Sequence, residues 1–270
     1  MATPEGFHNA GFICGLQNEA RCLTAAGVQL PIAVSGARTA RAAEVARELL
    51  AAGAEALVSI GLAGGLDPRL GPGSIVVAER VIVWHQPLPK RHRRNFRLGL
   101  GTLVRHPAEV EADMEREAAA PVETVAEFVV DPELNRRLLG VLGKKTWSGA
   151  IVGVDQAVRT PDQKLALFTR TGALACDMES HAVAEVARSQ GVPFAVLRIV
   201  SDPSNRFIPD AALAGITAAG EVSSSSVLRS VAARPWEILE LFSLALDARI
   251  AFGVLRRVAR RSAPLFRAVG

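Results

Sequence analysis

The stretch ACDMESHAVAEVARSQGVPFAVLRIVSDPSN, residues 175–205, holds a helix and a strand back to back. Ala182, Val183, Val186 and Ala187 recur on one helical face, and Gly191-Val192-Pro193 stops the helix. The next run, PFAVLRIVSD (193–202), is apolar on both faces and broken only by Arg198, as expected of a strand covered on both sides. Working outward, GFICGL (11–16), LPIAVSG (30–36), ALVSIGL (56–62), SIVVAERVIV (74–83) and GAIVGV (149–154) also read as strands. Helical patterns follow many of them, at 38–53, 161–170, 179–190 and 211–233. This alternation predicts an α/β domain around a largely covered central sheet.

Composition narrows the class. At 270 residues and 49% hydrophobic, the chain can build a sizeable core. Its formal charge is +4, but basic and acidic residues are mixed, tyrosine is absent and aromatics are 5%, which argues against nucleic acid as a partner. Cys14, Cys22 and Cys176 form no CxxC pair and leave an odd thiol, so neither a zinc site nor a disulfide framework is expected. The first residues, MATPEGFHNAGF, lack a basic flank before a long apolar run, and no apolar run reaches spanning length. A reducing cytoplasm is the expected location. From His85 to about Val125 the chain is charged and irregular, and reads as an inserted surface excursion or a flap near a site.

The glycine-rich SIGLAGGLDPRLGPGSIVVA (59–78) is not a dinucleotide fingerprint. Its glycines do not open a helix, another strand follows, and there is no GK[ST]. Strand, glycine turn and strand would instead let Gly61, Gly64 and Gly65 bring the backbone close to a ligand, or simply make a tight turn. Two carboxylates then call for explanation. Glu179 lies in the first turn of its helix, where the dipole favours an anion whatever its task. Asp202, with Ser201, falls at the carboxyl end of a strand, where α/β sheets bind ligands, although a turn before Pro203 would also suit it. Together they fit one chemistry. One carboxylate can accept two adjacent sugar hydroxyls, and a second, kept protonated by burial, can donate to a departing nitrogen heterocycle.

GLAGGLDPRLGPGSIVVA, DMESHAVA and LRIVSD, in that order, resemble the purine nucleoside phosphorylase and methylthioadenosine nucleosidase superfamily over about residues 11–233. Within it, GLAGGLDP and CDMES are most similar to the hopanoid-associated phosphorylases, which release adenine from adenosylhopane. The resemblance implies one catalytic domain (8–233) with a central mixed, partly barrel-like sheet flanked by helices, followed by a C-terminal amphipathic helical extension (234–270). It also implies a homo-oligomer, no metal or organic cofactor, and phosphate as co-substrate. By that resemblance Glu179 binds the ribose hydroxyls with Met178 under the sugar. Asp202, supported by Ser201, is the acid at the imidazole-ring nitrogen of the purine. Ser35 and Gly36 of SGART line the sugar and nucleophile site, Gly64 belongs to the glycine turn, and Ala157 and Val158 of VGVDQAVRT line the base pocket. Glu19 of GLQNEAR matches the carboxylate that activates water in the nucleosidases. Arg21 and Arg38 are the candidate phosphate ligands, with Arg41 nearby. Two positions depart from the pattern: Leu62 stands where many relatives have Ser, and Ser59 stands where hexameric phosphorylases place an arginine. His181 receives no role.

The expected function is therefore cleavage of adenine from a nucleoside with a bulky apolar 5′ group, by phosphorolysis. The alternatives are a hydrolytic nucleosidase for methylthioadenosine or adenosylhomocysteine, and a non-catalytic nucleoside-binding relative, for which an acid at 202 would be superfluous. The tail adds a possible partner. Trp236, Leu239, Phe242, Leu246, Ile250 and Leu255 recur at near-helical spacing, and Arg256, Arg257, Arg260 and Arg261 follow. Such a helix can lie on an anionic membrane, or pack on the core or a second subunit.

Overall fold

In the computed structural model, residues 9–85, 126–215, 217, 219–221, 223 and 237–266 are described. The charged excursion after His85, Trp236 and most of 216–233 lie outside them. The apolar run Ala56–Gly65 (β3) is the strand on which the others assemble. It pairs in parallel with Ala10–Cys14 (β1) through Ala10↔Ala56 and Ile13↔Ser59, and β1 pairs in parallel with Ile32–Val34 (β2). Along its other edge it pairs in parallel with Phe194–Asp202 (β8), from Leu57↔Phe194 to Gly64↔Asp202. Its last residues, Gly64 and Gly65, turn antiparallel to Ala175–Asp177 (β7).

The long strand Ile75–Trp84 (β4) closes the system. It runs antiparallel to β8 and parallel to Thr146–Val154 (β6), and β6 runs parallel to β7. The ring β3–β8–β4–β6–β7–β3 is thus a closed, mixed five-stranded barrel. Register shifts at Ala63/Gly64 and Ala78/Arg80 mark where the sheet bends to close. Glu127–Val129 (β5) adds an edge to β4.

Helices Thr39–Ala51 (α2) and Ser180–Gln190 (α5) bury Val45, Leu49, Val183, Val186 and Ala187 against one side of the sheet. Helices Gln17–Ala25 (α1), Pro132–Leu142 (α3) and Ile238–Ser262 (α7) pack on the other, where Leu23, Leu138 and Leu255 meet Phe12 and Leu197. Helix Pro161–Thr171 (α4) covers the barrel near Val152 and Cys176 through Leu167. As expected, α5 ends at Gly191, in the left-handed conformation.

Three expectations change. Of the helix expected over 211–233, the described residues hold Asp210–Ala214 (α6), which ends at Gly215 before Gly220 adopts a φ of +76°; residues 224–233 lie outside the described residues. The glycine turn is not at 61–65, since β3 continues through Gly65 and the chain reverses at 67–73, where Asp67 holds Arg69. The tail is one 25-residue helix whose inner face, Ala251, Leu255, Val258 and Ala259, is fully buried. Leu255 therefore faces inward, away from Leu239, Phe242, Leu246 and Ile250, which are exposed.

Candidate active site

The site is built around the turn after β1. A β-carbon on Gly15 would lie 2.9 Å from Glu179 Oε1 and 3.4 Å from Glu19 Oε2, so the two carboxylates converge on this one glycine. Helix α1 delivers Glu19 from its first turn. Its Oε2 accepts the Leu16 N–H (2.9 Å), and its Oε1 accepts the Leu62 N–H on β3 (2.7 Å). A β-carbon on Gly61 would stand 2.7 Å from Glu19 Oε2. The glycines of β3 thus make room for the protein's own carboxylates. Gly64 does the same for Asp202, whose Oδ2 lies 3.1 Å from the β-carbon position.

Ser35 and Gly36 run alongside: Ser35 N–H donates to Cys14 O and Ala37 N–H to Gly15 O. Gly36 and Ala37 both have positive φ, +68° and +53°. The Ser35 hydroxyl is buried with no hydrogen-bond partner among the described residues. A buried hydroxyl left unpaired costs about 1–3 kcal/mol, so one in the strand-end loop beside Cys14 is suited to receive a ligand. Thr39 ties this loop to the 177–180 turn by donating to Met178 O.

The carboxylate turn itself explains Asp177. Its Oδ1 accepts the N–H groups of Glu179 (3.0 Å) and Ser180 (2.8 Å) at the start of α5, and its Oδ2 accepts the Ser180 hydroxyl and Arg198 Nε. Arg198, fully buried on β8, also donates to Ser59 Oγ (2.6 Å) and Ser180 Oγ (3.0 Å), and approaches Glu179 Oε2 at 3.5 Å. Ser59, where an arginine was noted as missing, is thus a ligand of the arginine from the next strand. Arg198 holds Asp177 below its ordinary value against the effect of burial. Glu179 is different: burial, then the charges of Asp177 and Glu19, push it up to about 8 despite the pull of Arg198. Burial also raises Glu19, against the backbone donors Leu62 and Leu16.

Asp202 closes the site at the end of β8. Ser201 Oγ donates to its Oδ1 at 2.6 Å. Lys164, fully buried on α4, donates to its Oδ2 at 2.7 Å. Burial raises Asp202, and Lys164 opposes that rise. Val158 is buried in the cluster against which Met178 packs, and Ala157 is half-buried beside it. The two glycines that Glu19 and Asp202 face, Gly61 and Gly64, lie three residues apart on β3.

The candidate phosphate ligands are solvent-exposed. Arg21 is exposed on α1 and donates to Asn18, and Arg38 is exposed at the start of α2. Arg41 pairs with Glu44 and Glu48 at the surface. His181 contacts Asp155, which also meets His85. Among the described residues no group of three His, Cys, Asp or Glu side chains is placed to hold a metal ion. The sequence reading missed two residues. Arg198 was visible as the sole charge in an apolar strand. Lys164, one of four lysines in the chain, sits three residues before Leu167 on the inner face of its helix.

Barrel, carboxylate turn and strand-end acid together define an α/β architecture whose site is built from buried carboxylates. The chain belongs to the phosphorylase superfamily, whose family model matches residues 12–231. It is 28% identical over 150 residues to a 5′-methylthioadenosine/S-adenosylhomocysteine nucleosidase of Staphylococcus saprophyticus, a match covering 54% of this chain and 56% of that protein. The chain thus spans little more than half the length of that curated relative. Its fold is shared with the S-adenosylhomocysteine nucleosidase of Streptococcus pyogenes in complex with 5-methylthiotubericidin (TM-score 0.58, 19% identity, 95% of this chain and 98% of that one). It is also shared with the futalosine hydrolase of Helicobacter pylori (TM-score 0.57, 16% identity, 96% and 95%).

Proposed function

We propose that this protein cleaves the N-glycosidic bond of an adenine nucleoside with water as the nucleophile, as a nucleosidase of the methylthioadenosine/adenosylhomocysteine type. The observation that carries this reading is the pairing of Glu19 with Glu179 at Gly15, with the buried acid Asp202 at the end of β8. Protonated Asp202 donates to the imidazole-ring nitrogen of adenine as the C1′–N9 bond breaks and its electron pair passes to the base. Glu179 accepts the ribose hydroxyls, and its ionised form balances the positive charge that builds on the sugar. Glu19, held by two backbone donors but with lone pairs to spare, takes the proton from the attacking water. The similarity to methylthioadenosine/adenosylhomocysteine nucleosidases supports hydrolysis. The expectation of phosphorolysis rested on Arg21 and Arg38 and on the subfamily resemblance, and both arginines are exposed.

A second reading keeps the bond and changes the 5′ group to a bulky apolar one, as in adenosylhopane. It is favoured by the exposed apolar face of α7, which a lipid-linked substrate at a bilayer surface would give a use. The nucleophile is tested by incubating the protein with methylthioadenosine in phosphate-free buffer. Hydrolysis predicts full adenine release with a free ribosyl product. Release that depends on added phosphate and yields a ribose 1-phosphate would overturn the choice of water.

A further inference from the structure

Lys164, like Arg198, is a fully buried cation with a full set of partners. Its side chain has no exposure, and its ammonium faces four oxygens: Asp202 Oδ2 (2.7 Å), Pro203 O (2.9 Å), Asp202 O (3.1 Å) and Arg206 O (3.2 Å). Helix α4 sets it there firmly. Pro161 starts the helix, Thr160 Oγ1 accepts the Gln163 N–H, and Gln163 Oε1 accepts the Thr160 N–H. A buried charge is tolerated only when paired and hydrogen-bonded, and here every ammonium hydrogen has an oxygen to meet.

The two oxygens of Asp202 are treated unequally. Oδ2 is fixed by a cation that can only donate. Oδ1 meets the Ser201 hydroxyl, which has another acceptor within reach, Ala63 O at 3.3 Å. That hydroxyl can turn to Ala63 O and release Oδ1 to carry a proton. Oδ2 has no such freedom.

We propose that Lys164 is the positioning residue for the acid, holding Asp202 by Oδ2 and the main chain so that Oδ1 alone carries the proton given to the departing base. This inference rests on the proposed glycosidic cleavage. In each turnover the proton on Oδ1 passes to the base, the C1′–N9 pair goes with the base, and the new Asp202 carboxylate is balanced by the Lys164 ammonium. The attacking water adds to C1′ and loses its proton to Glu19; Glu19 then releases that proton to solvent and Asp202 takes one up, so nucleoside and water become adenine and free sugar and both carboxyls are reset. The same cation makes Asp202 a stronger acid than its burial alone would leave it. The other groups facing Asp202 are Ser201 on its own strand, Cys176 from β7 and, more remotely, Asp247 from α7, itself paired with Arg206.

The test follows adenine release from methylthioadenosine across pH for the full chain. Lys164→Met should lower kcat more than it changes KM. It should also move the basic limb of the kcat/KM profile upward by about one unit or more, because an adjacent cation shifts a carboxyl by about 1–3 units. An unmoved basic limb would overturn the proposal. Asp202→Asn/Lys164→Met, which removes both charges, covers the case in which the single variant fails to fold. If Lys164 acts through Asp202, adding Lys164→Met to Asp202→Asn costs less than about twofold in kcat. A further tenfold loss would make the lysine an independent structural element and defeat the inference. Wild-type protein that releases no adenine from any adenosine derivative removes the glycosidic reading itself, and this inference with it. Active wild type with an unmoved limb removes only the role of Lys164.

Discussion

At Glu179 the fold works against ionisation. The side chain is buried, Asp177 and Glu19 are near neighbours of like charge, and the counter-charge of Arg198 is shared with Asp177. Its folded value of about 8 stands above the ordinary carboxyl value of 4.5. The folded state therefore binds the proton more tightly than the unfolded chain does. The penalty is absent below about pH 4.5, grows as pH rises, and is complete above about 8. Glu179→Gln removes that titration. The melting temperature of the variant relative to wild type should rise with pH across this window, and a constant difference from pH 4.5 to 8 would count against the assignment. In activity the same variant should lose far more on ribosides than on 2′-deoxyribosides, which already lack part of the sugar contact. The residues that this reasoning needs were unevenly visible in the sequence. Glu179, Asp202 and Ser201 could be singled out because carboxylates at element ends contradict an apolar surround. Lys164 could not, because a lysine in a helix looks like surface charge until tertiary packing shows which face is inside.

Among the elements, α7 is the one whose two faces ask different things. Ala251, Leu255, Val258 and Ala259 complete the core beside β8 and α1, and Asp247 binds Arg206. Deleting the helix would uncover side chains each worth up to about 1.5–3 kcal/mol of burial, so truncation reports on folding and not on the outer face. That outer face carries Leu239, Phe242, Leu246 and Ile250, followed on the exposed side by Arg257, Arg260 and Arg261. Among the described residues, no helix is long and apolar enough to cross a membrane. Replacing Leu239, Phe242, Leu246 and Ile250 by glutamine should leave the melting temperature within a few degrees of wild type. If the face meets lipid, the change should abolish cosedimentation with vesicles containing anionic lipid at low salt. Wild-type protein that ignores such vesicles would exclude lipid contact through this face. Periodicity revealed the apolar stripe, but could not separate Leu255, which points inward, from Leu246 and Ile250, which do not. Nor did it predict α1 or α3, whose mixed sequences become helical against a core made by distant strands.

For the molecule as a whole, the alternation of strands and helices made the α/β class readable, but ring closure was not. That depends on β7, three residues long, and on β3 and β4 changing partners along their lengths. No local pattern encodes such changes. Closure gives the site its character. It brings the ends of β3, β7 and β8 together, and burial raises Glu19, Glu179 and Asp202 alike. On the proposed reading, a binding protein would have no use for a buried acid at the strand end, where burial raises Asp202. The most direct measurement is therefore adenine release from methylthioadenosine by wild type and by Asp202→Asn. Wild type should turn over, and the asparagine variant should keep its fold while losing about 10²–10⁴-fold in kcat, the usual worth of a general acid. Near-normal turnover by Asp202→Asn, or a folded wild type that releases no adenine from any adenosine derivative, would contradict the account.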